Sequence, residues 1–185
     1  MEARQMRRVL VVYASRHGAT AGIAERIGEV LRSTGVDGVV ADATDMPDPA
    51  GFDAYVVGSA TYIGKWERDA ISWVKRHEAL LATKPVWLFS SGPVGTERVT
   101  KSGASVLEDP STVANLRPML HPRGTTVFFG AWDPGLPSAT LAERIVRRLP
   151  AIKDLLPTGD FREWPVIEAW AREIAAEVAG PVPVG

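Results

Sequence analysis

The chain has no cysteine among its 185 residues and only three histidines. Without cysteine there are no disulfide bonds, thiolate nucleophiles, iron–sulfur clusters or cysteine-ligated zinc. His17, His77 and His121 lie far apart in the sequence, without the close spacing that metal ligands on one element show. We therefore expect neither thiol chemistry nor a metal site.

The two signs of charge are nearly balanced, because the chain has 21 basic and 22 acidic residues and a formal net charge of −1. Such a balance gives no general attraction to nucleic acid. No run approaches the roughly 20 apolar residues of a membrane-spanning helix, and the basic N-terminus lacks the apolar stretch of a signal peptide. These features predict a cytoplasmic protein that binds no nucleic acid.

Short β-branched runs alternate with amphipathic stretches, which is typical of βαβ units around a parallel sheet. Strands are predicted at Val9–Tyr13, Val36–Ala41, Ala54–Gly58, Val86–Ser90 and Thr125–Gly130. Helices are predicted at Thr20–Ser33, Trp66–Leu81 and Glu163–Ala179, the last with Val166, Trp170, Ile174 and Val178 on its apolar side. Pro110–Pro122 and Pro134–Pro157 are interpreted as irregular connections. The length fits one domain, 1–185, with a core at 6–179 and a flexible tail at 180–185.

Four loops that follow predicted strands share an unusual composition: SRHGAT, SATYIGKW, SGPVGT and AWDPGLP. Glycine allows close backbone approach, and serine and threonine supply neutral hydrogen bonds. Ligands of open α/β sheets bind beyond the carboxyl ends of the strands, near the point where strand order reverses. The sequence therefore predicts a ligand site at that edge.

The first of these loops has the features of a phosphate site. A helix that begins near Gly18 or Ala19 directs its free amides and positive dipole end at the loop. The Ser15 and Thr20 hydroxyls would complete the site, while Arg16 would either add a charge-assisted bond or point into solvent. The alternative is an ordinary helix cap and turn, with His17 only shaping the loop.

Two aromatic residues in the second loop leave a similar choice. Tyr62 and Trp66 either stack on a flat ligand ring or face the core where a helix begins. Other nucleotide and hydrolase motifs are missing, because no G-x-G-x-x-G, G-x-x-x-x-G-K-S/T or G-x-S-x-G is present. An acidic pair at the end of the first strand, as in phospho-receiver domains, is missing too.

The pattern S-x-H-G-x-T resembles the flavodoxin phosphate loop, which usually reads T-x-T-G-x-T. Three stretches resemble more closely the flavodoxin-domain branch that includes the menaquinone-dependent protoporphyrinogen IX dehydrogenase: VVYASRHGATAGIAERI, VVGSATYIGKWERDAISWVKRH and FREWPVIEAWAREIAAEV. The resemblance covers Arg7 to Val178. It implies an α/β flavodoxin-like three-layer sandwich, with helices on both faces of a five-stranded parallel sheet of order 2-1-3-4-5, and one FMN per chain.

The resemblance also implies the cofactor-binding residues, although it assigns no catalytic acid or base. The phosphate loop becomes Ser15, Arg16, His17, Gly18, Ala19 and Thr20. The ring-binding loops supply Ala60, Thr61, Tyr62, Ile63, Gly64, Trp66, Ser91, Gly92, Pro93, Val94 and Gly95.

Two functions follow from this resemblance. One is an FMN-dependent oxidoreductase acting on a small substrate, such as a porphyrinogen or a quinone. The alternative is a non-catalytic electron carrier that docks to redox proteins, although such carriers usually have an acidic surface and this chain has balanced charge. A domain that binds a deazaflavin, or no cofactor, is a third interpretation.

The segment Leu136–Pro157 bears on the choice of substrate. The connection that contains it, Ala131–Phe161, is less aromatic and less charged than the insertion that the membrane-associated dehydrogenase carries after its fifth strand. Leu136–Pro157 is predicted either to cover the sheet or to present Arg144, Arg147 and Arg148 as a basic surface. Such a surface would receive propionates or make weak peripheral contact with an anionic membrane.

Overall fold

The structure is a computed structural model that describes residues 6–100, 102–133 and 157–180. The predicted cover or basic surface between Leu136 and Pro157, and the predicted tail beyond Gly180, lie outside the described residues. Among the helices that the structure describes, none combines the length and the apolar character that crossing a membrane requires.

A parallel sheet of five strands forms the centre of the fold. The strands are β1 (Arg8–Ala14), β2 (Asp37–Asp42), β3 (Ala54–Tyr62), β5 (Val86–Ser91) and β6 (Gly124–Phe128). Their spatial order is β2-β1-β3-β5-β6, which is 2-1-3-4-5 when these five are counted along the chain. The predicted order is therefore confirmed, and a short strand β4 (Lys65–Trp66) is added antiparallel to β3.

Within the described residues, four helices cover the sheet: α1 (Ala19–Ser33), α2 (Arg68–Leu81), α3 (Ser111–Leu120) and α4 (Trp164–Ala179). α1 and α4 share one apolar core, to which β1 contributes Val9 and Val11. α2 and α3 share the other core, to which β1 contributes Leu10 and Val12. Successive residues of a strand face opposite sides of a sheet, and both sides are covered here. The predicted three-layer sandwich is confirmed.

The interpretation of Pro110–Pro122 as an irregular connection is wrong, because α3 lies within it. Val113, Leu116 and Leu120 are buried at helical spacing against the second core. Pro118 conceals the helix from sequence reasoning, since proline inside a helix removes a backbone donor. The helix ends soon after it, where His121 adopts a left-handed conformation.

Two predicted boundaries and one predicted face also need correction. α2 begins at Arg68, since Trp66 belongs to β4. β6 ends at Phe128 instead of Gly130, and β7 (Ala131–Trp132) follows it and pairs with β8 (Gly159–Asp160). The buried face of α4 is Ile167, Ala171, Ile174 and Ala175, whereas Val166 is 49% exposed.

β3 is four residues longer than predicted, because it continues into a tight hairpin with β4. Thr61 pairs with Trp66, and Tyr62 with Lys65. The connecting residues Ile63 and Gly64 both have positive φ, at 49° and 69°. Positive φ at both central residues is the requirement of a type I′ hairpin turn. The hairpin carries the chain beyond the carboxyl edge of the sheet, where the candidate site lies.

Candidate functional site

The three predicted binding loops meet at the carboxyl edge of three neighbouring strands. β3 lies between β1 and β5, and the strand ends are level, because Ala14 pairs with Ser59 and Ala60 pairs with Ser91. The loops that follow these strands are 15–18, the β3–β4 hairpin and the long connection 92–110. The fold thus brings the predicted phosphate and ring loops together.

The first loop turns directly into the N-terminus of α1. Gly18 is the N-cap residue in the left-handed region (φ 82°, ψ −13°), and its N–H donates to Ser15 Oγ at 3.1 Å. No side chain caps the helix, and no acidic residue lies in its first turn. The first-turn amides therefore remain suited to an anion, because a helix N-terminus combines free donors with a positive dipole end.

A buried hydroxyl lies in the same turn. Thr20 is 1% exposed, and its Oγ1 has no hydrogen-bond partner among the described residues. A buried polar atom without a partner is costly and rare in folded proteins. A phosphate oxygen beside the α1 amides would satisfy it.

Arg16 extends toward the hairpin. Its Nε lies 2.9 Å from Glu67 Oε1, and its guanidinium carbon is 4.7 Å from the centroid of the Tyr62 ring. Sequence reasoning offered phosphate or solvent as its surroundings and did not foresee Glu67. The pairing spans 51 positions of the chain, and no local pattern signals it.

The two aromatic residues of the second loop have different places. Trp66 is 4% exposed and belongs to the core beneath α2 and α3. Its Nε1 donates to Ser90 Oγ at 2.8 Å, and its backbone N–H donates to Thr112 Oγ1 at 3.1 Å. Tyr62 is half-buried at the loop, beneath the Arg16 guanidinium. Of the two, Tyr62 is the more exposed at the loop.

A cavity of about 380 Å³ opens between the hairpin and the loop after β5. Five of the predicted ring-loop residues form part of its wall, whereas six lie outside that wall: Ala60, Tyr62, Trp66, Ser91, Val94 and Gly95. The lining residues are Thr61, Ile63, Gly64, Gly92, Pro93, Val106, Glu108, Asp109, Pro110, Ser111 and Val127. Thr61 Oγ1 is buried and has no hydrogen-bond partner among the described residues. The cavity thus has mostly apolar walls, and an unpartnered hydroxyl is buried beside it.

Ile63 stands at the rim of this cavity and is fully exposed. A β-branched side chain rarely adopts positive φ, and such strain persists mainly at functional sites. Gly92 lies opposite, so close to the hairpin that a Cβ there would be 3.1 Å from Thr61 Cβ and 3.2 Å from its carbonyl oxygen. The two ring loops are therefore in close contact, with an apolar side chain presented at their opening.

The segment Val106–Ser111 was missed as part of the site. The Ser111 N–H and hydroxyl both donate to the Gly64 carbonyl, at 3.1 and 3.0 Å, and so hold the hairpin turn. Asp109 pairs with Arg117 and accepts a hydrogen bond from Thr125 Oγ1. The segment lies at the end of a long loop whose sequence contains no motif. Its position at the cavity is evident only from the contact between the start of α3 and the hairpin.

A second set of contacts supports the phosphate loop from the side of β7 and β8. The Trp132 and His17 rings meet edge to face, with centroids 5.9 Å apart. Arg162 donates to the Ala19 carbonyl at 3.3 Å and to both carboxylate oxygens of Asp160. The hydrogen bonds that Arg162 donates to the Asp160 carboxylate hold the pKa of Asp160 below its ordinary value. Trp132 comes from the AWDPGLP loop, where composition indicated the site but not the residue.

A family model described as a flavodoxin domain matches residues 10–144. No curated protein matches the chain significantly. A solved flavodoxin from the domain Archaea shares 20% identity at a TM-score of 0.55, over 94% of this chain and 99% of that one. A flavodoxin from Pseudomonas aeruginosa shares 15% at a TM-score of 0.56, over 94% and 99%.

The rubredoxin oxygen oxidoreductase of Desulfovibrio gigas shares 15% identity at a TM-score of 0.59, over 95% of this chain. The present chain spans 37% of that protein. Identities this low show the common fold alone, so the family assignment depends on the match to the flavodoxin-domain family model.

A flavodoxin domain implies FMN, and the residues of this structure fit it. The uncapped amides of α1 and the unpartnered Thr20 hydroxyl suit a phosphate monoester. The cavity between the ring loops offers mostly apolar walls to a flat ring. The chain belongs to the flavodoxin domain family, and its cofactor is FMN.

Proposed function

We propose that the protein is an FMN-dependent oxidoreductase acting on a small organic substrate, with a quinone as acceptor and protoporphyrinogen as a candidate donor. The cavity beside the ring loops carries this proposal. Its volume of about 380 Å³ lies within the roughly 300–1,000 Å³ of small-molecule sites, so it would hold the flavin ring and leave a small substrate to approach the ring edge at the cavity opening. The sequence resemblance to protoporphyrinogen dehydrogenases supports the choice of donor.

We assign the phosphate to the loop Ser15–Thr20 and the ring to the opening between the β3–β4 hairpin and the loop Ser91–Gly95. When bound, FMN supplies electron-transfer chemistry, while the protein supplies binding, orientation and electrostatics. The α1 amides and the Thr20 hydroxyl would bind the phosphate. Thr61 Oγ1 would offer a hydrogen bond at the ring loops, where Ser111 holds the turn in place.

Charge around the cavity favours a neutral substrate. Two carboxylates line the cavity, and Asp109 is balanced by Arg117. Electron carriers attract their protein partners by strong charge complementarity. The one carboxylate of the lining that is not paired with Arg117, Glu108, provides too little charge for such attraction. Glu108 would also repel a propionate, so a quinone suits the cavity better than the charged edge of a porphyrin does. A cytoplasmic location fits the balanced composition and is part of the same proposal.

One observation favours the alternative, a non-catalytic carrier. The fully exposed Ile63 at the tip of the hairpin gives an apolar contact point beside the flavin loops. Transient protein partners use such residues at the centre of small interfaces. A carrier would pass electrons to proteins rapidly and to small quinones slowly.

The test is a stopped-flow measurement of flavin reoxidation. FMN-loaded protein is reduced anaerobically with dithionite and mixed with increasing menadione, and protoporphyrinogen is offered to the oxidised form in parallel. An oxidoreductase gives a saturable rate that depends on the cavity. V106F, within the lining, should slow reoxidation several-fold, whereas V99F should match the wild type, because Val99 lies in the same loop outside the cavity wall. A rate that rises linearly with menadione and is equal in both variants would contradict the proposal.

A further inference from the structure

Arg16 lies at the junction of the phosphate loop and the ring loop, with its charge directed to the second. Its Nε is 2.9 Å from Glu67 Oε1, with side-chain exposures of 35% for Arg16 and 11% for Glu67. The guanidinium also covers the Tyr62 ring at 4.7 Å from the centroid. A cation over an aromatic face is attracted by the ring quadrupole, and more strongly when it is partly desolvated.

Glu67 is held in place independently of Arg16. It is the N-cap residue of α2, where the helix dipole favours an anion. Its backbone N–H donates to Ser59 Oγ at 2.9 Å, and Ser59 is fully buried in β3. The Glu67 backbone is therefore fixed in place, and Arg16 reaches the Glu67 carboxylate from the opposite loop.

A phosphate would have to compete with Glu67 for this guanidinium. Withdrawing Arg16 would leave a carboxylate that is mostly buried without its counter-charge, which is costly. The phosphate already has the α1 amides and the Thr20 hydroxyl. We infer that Arg16 is not a phosphate ligand but a positioning residue, which holds the ring-binding hairpin against the phosphate loop through Glu67 and Tyr62.

This inference rests on flavin binding at the proposed site, and riboflavin separates it from the alternative because riboflavin lacks the phosphate. The affinities of FMN and riboflavin are measured by quenching of flavin fluorescence in the wild type and in R16M/E67Q. The double variant removes the ion pair without changing net charge, so it leaves no uncompensated carboxylate to repel the phosphate.

Both affinities should fall by a common factor of about ten, between the effects of exposed and buried ion pairs, and the FMN-to-riboflavin ratio should stay constant. The matched control is R172M/E168Q, which removes a pair of 3.0 Å on α4 together with the longer contact of 3.9 Å between Glu168 and Arg26, and should change neither affinity. R16K is the second variant, because lysine keeps the charge for a phosphate but loses the planar guanidinium. R16K should again lower the affinities for FMN and for riboflavin by the same factor.

A loss confined to FMN in R16M/E67Q would overturn the inference and leave the flavin site intact. If the double variant does not fold, R16K decides, and unchanged affinities for both flavins would overturn the inference. Unchanged affinities in both Arg16 variants would overturn it as well. A wild-type protein that binds neither flavin would overturn both the site and the inference.

Discussion

Gly18 offers a sharp test of the phosphate loop, because the chain contains a matched control. Gly18 and Gly35 have nearly equal φ, 82° and 84°, and a Cβ at either would have no heavy atom within 4 Å. Gly18 is the N-cap of α1 at the candidate site, whereas Gly35 follows the far end of the same helix. G18A and G35A thus impose the same backbone strain at opposite ends of one helix.

The expected loss of stability is similar for the two variants. An L-residue in the left-handed region costs roughly 1–2 kcal/mol. For a chain of this size each kcal/mol lowers Tm by about 2–4 °C, so both variants should melt about 2–8 °C below the wild type. Thermal unfolding without flavin, followed by circular dichroism, measures this common cost.

The effect on FMN should differ between the two. At Gly18 the added methyl group enters the open space beside the α1 amides, where the phosphate is expected. Losing one hydrogen bond to a charged group costs about 1.5–3 kcal/mol, or about 10- to 150-fold in Kd. Titration calorimetry should show this loss for G18A and wild-type affinity for G35A. Equal FMN affinities in the two variants would refute the phosphate assignment.

Three further predictions concern the hairpin and the core. I63G should raise the free energy of unfolding by about 1 kcal/mol, because strain relief exceeds the entropy cost of glycine, yet it should weaken FMN binding. W66F should lower the free energy of unfolding by about 1–3 kcal/mol, because it leaves the buried Ser90 hydroxyl without its donor. Flavin fluorescence should stay as quenched in W66F as in the wild type, whereas Y62L should relieve the quenching. Burial lowers the pKa of His77 below its ordinary value of 6.5, so the unfolded chain gains a proton first. Stability should therefore fall as pH drops from about 6.5, with a weaker dependence in H77F.

Denaturant unfolding and flavin titration check these three. Destabilisation by I63G would mean that the turn is not strained. If flavin fluorescence becomes less quenched in W66F but not in Y62L, then Trp66, and not Tyr62, contacts the flavin ring. Identical pH profiles for the wild type and H77F would show that His77 does not carry the acid sensitivity.

The parts of the fold that local sequence could predict are those with a strong period. Continuous β-branched runs such as Val9–Val12 mark strands covered on both faces, and the helix after Gly18 follows from its apolar spacing. The edge of the sheet at which a ligand is expected follows from topology, so the three loops are predicted together. Their positions required only the strand ends, which are level in the structure.

The misses have physical causes in particular residues. Ile63 is a poor turn former by type, so the hairpin gave no signal at its tip and Trp66 was assigned to a helix instead of β4. Pro118 hid α3, although Val113, Leu116 and Leu120 carry helical spacing. The Arg16–Glu67 pair and the Ser111 contact with Gly64 join segments distant in sequence, and such contacts exist only once the layers have packed.

Titration of the purified protein with FMN tests the central claim most directly. Absorbance and fluorescence should show saturable binding of one FMN per chain, with quenched flavin emission and weaker binding of riboflavin. A spectrum that remains that of free FMN at every protein concentration, with emission unchanged, would contradict the account.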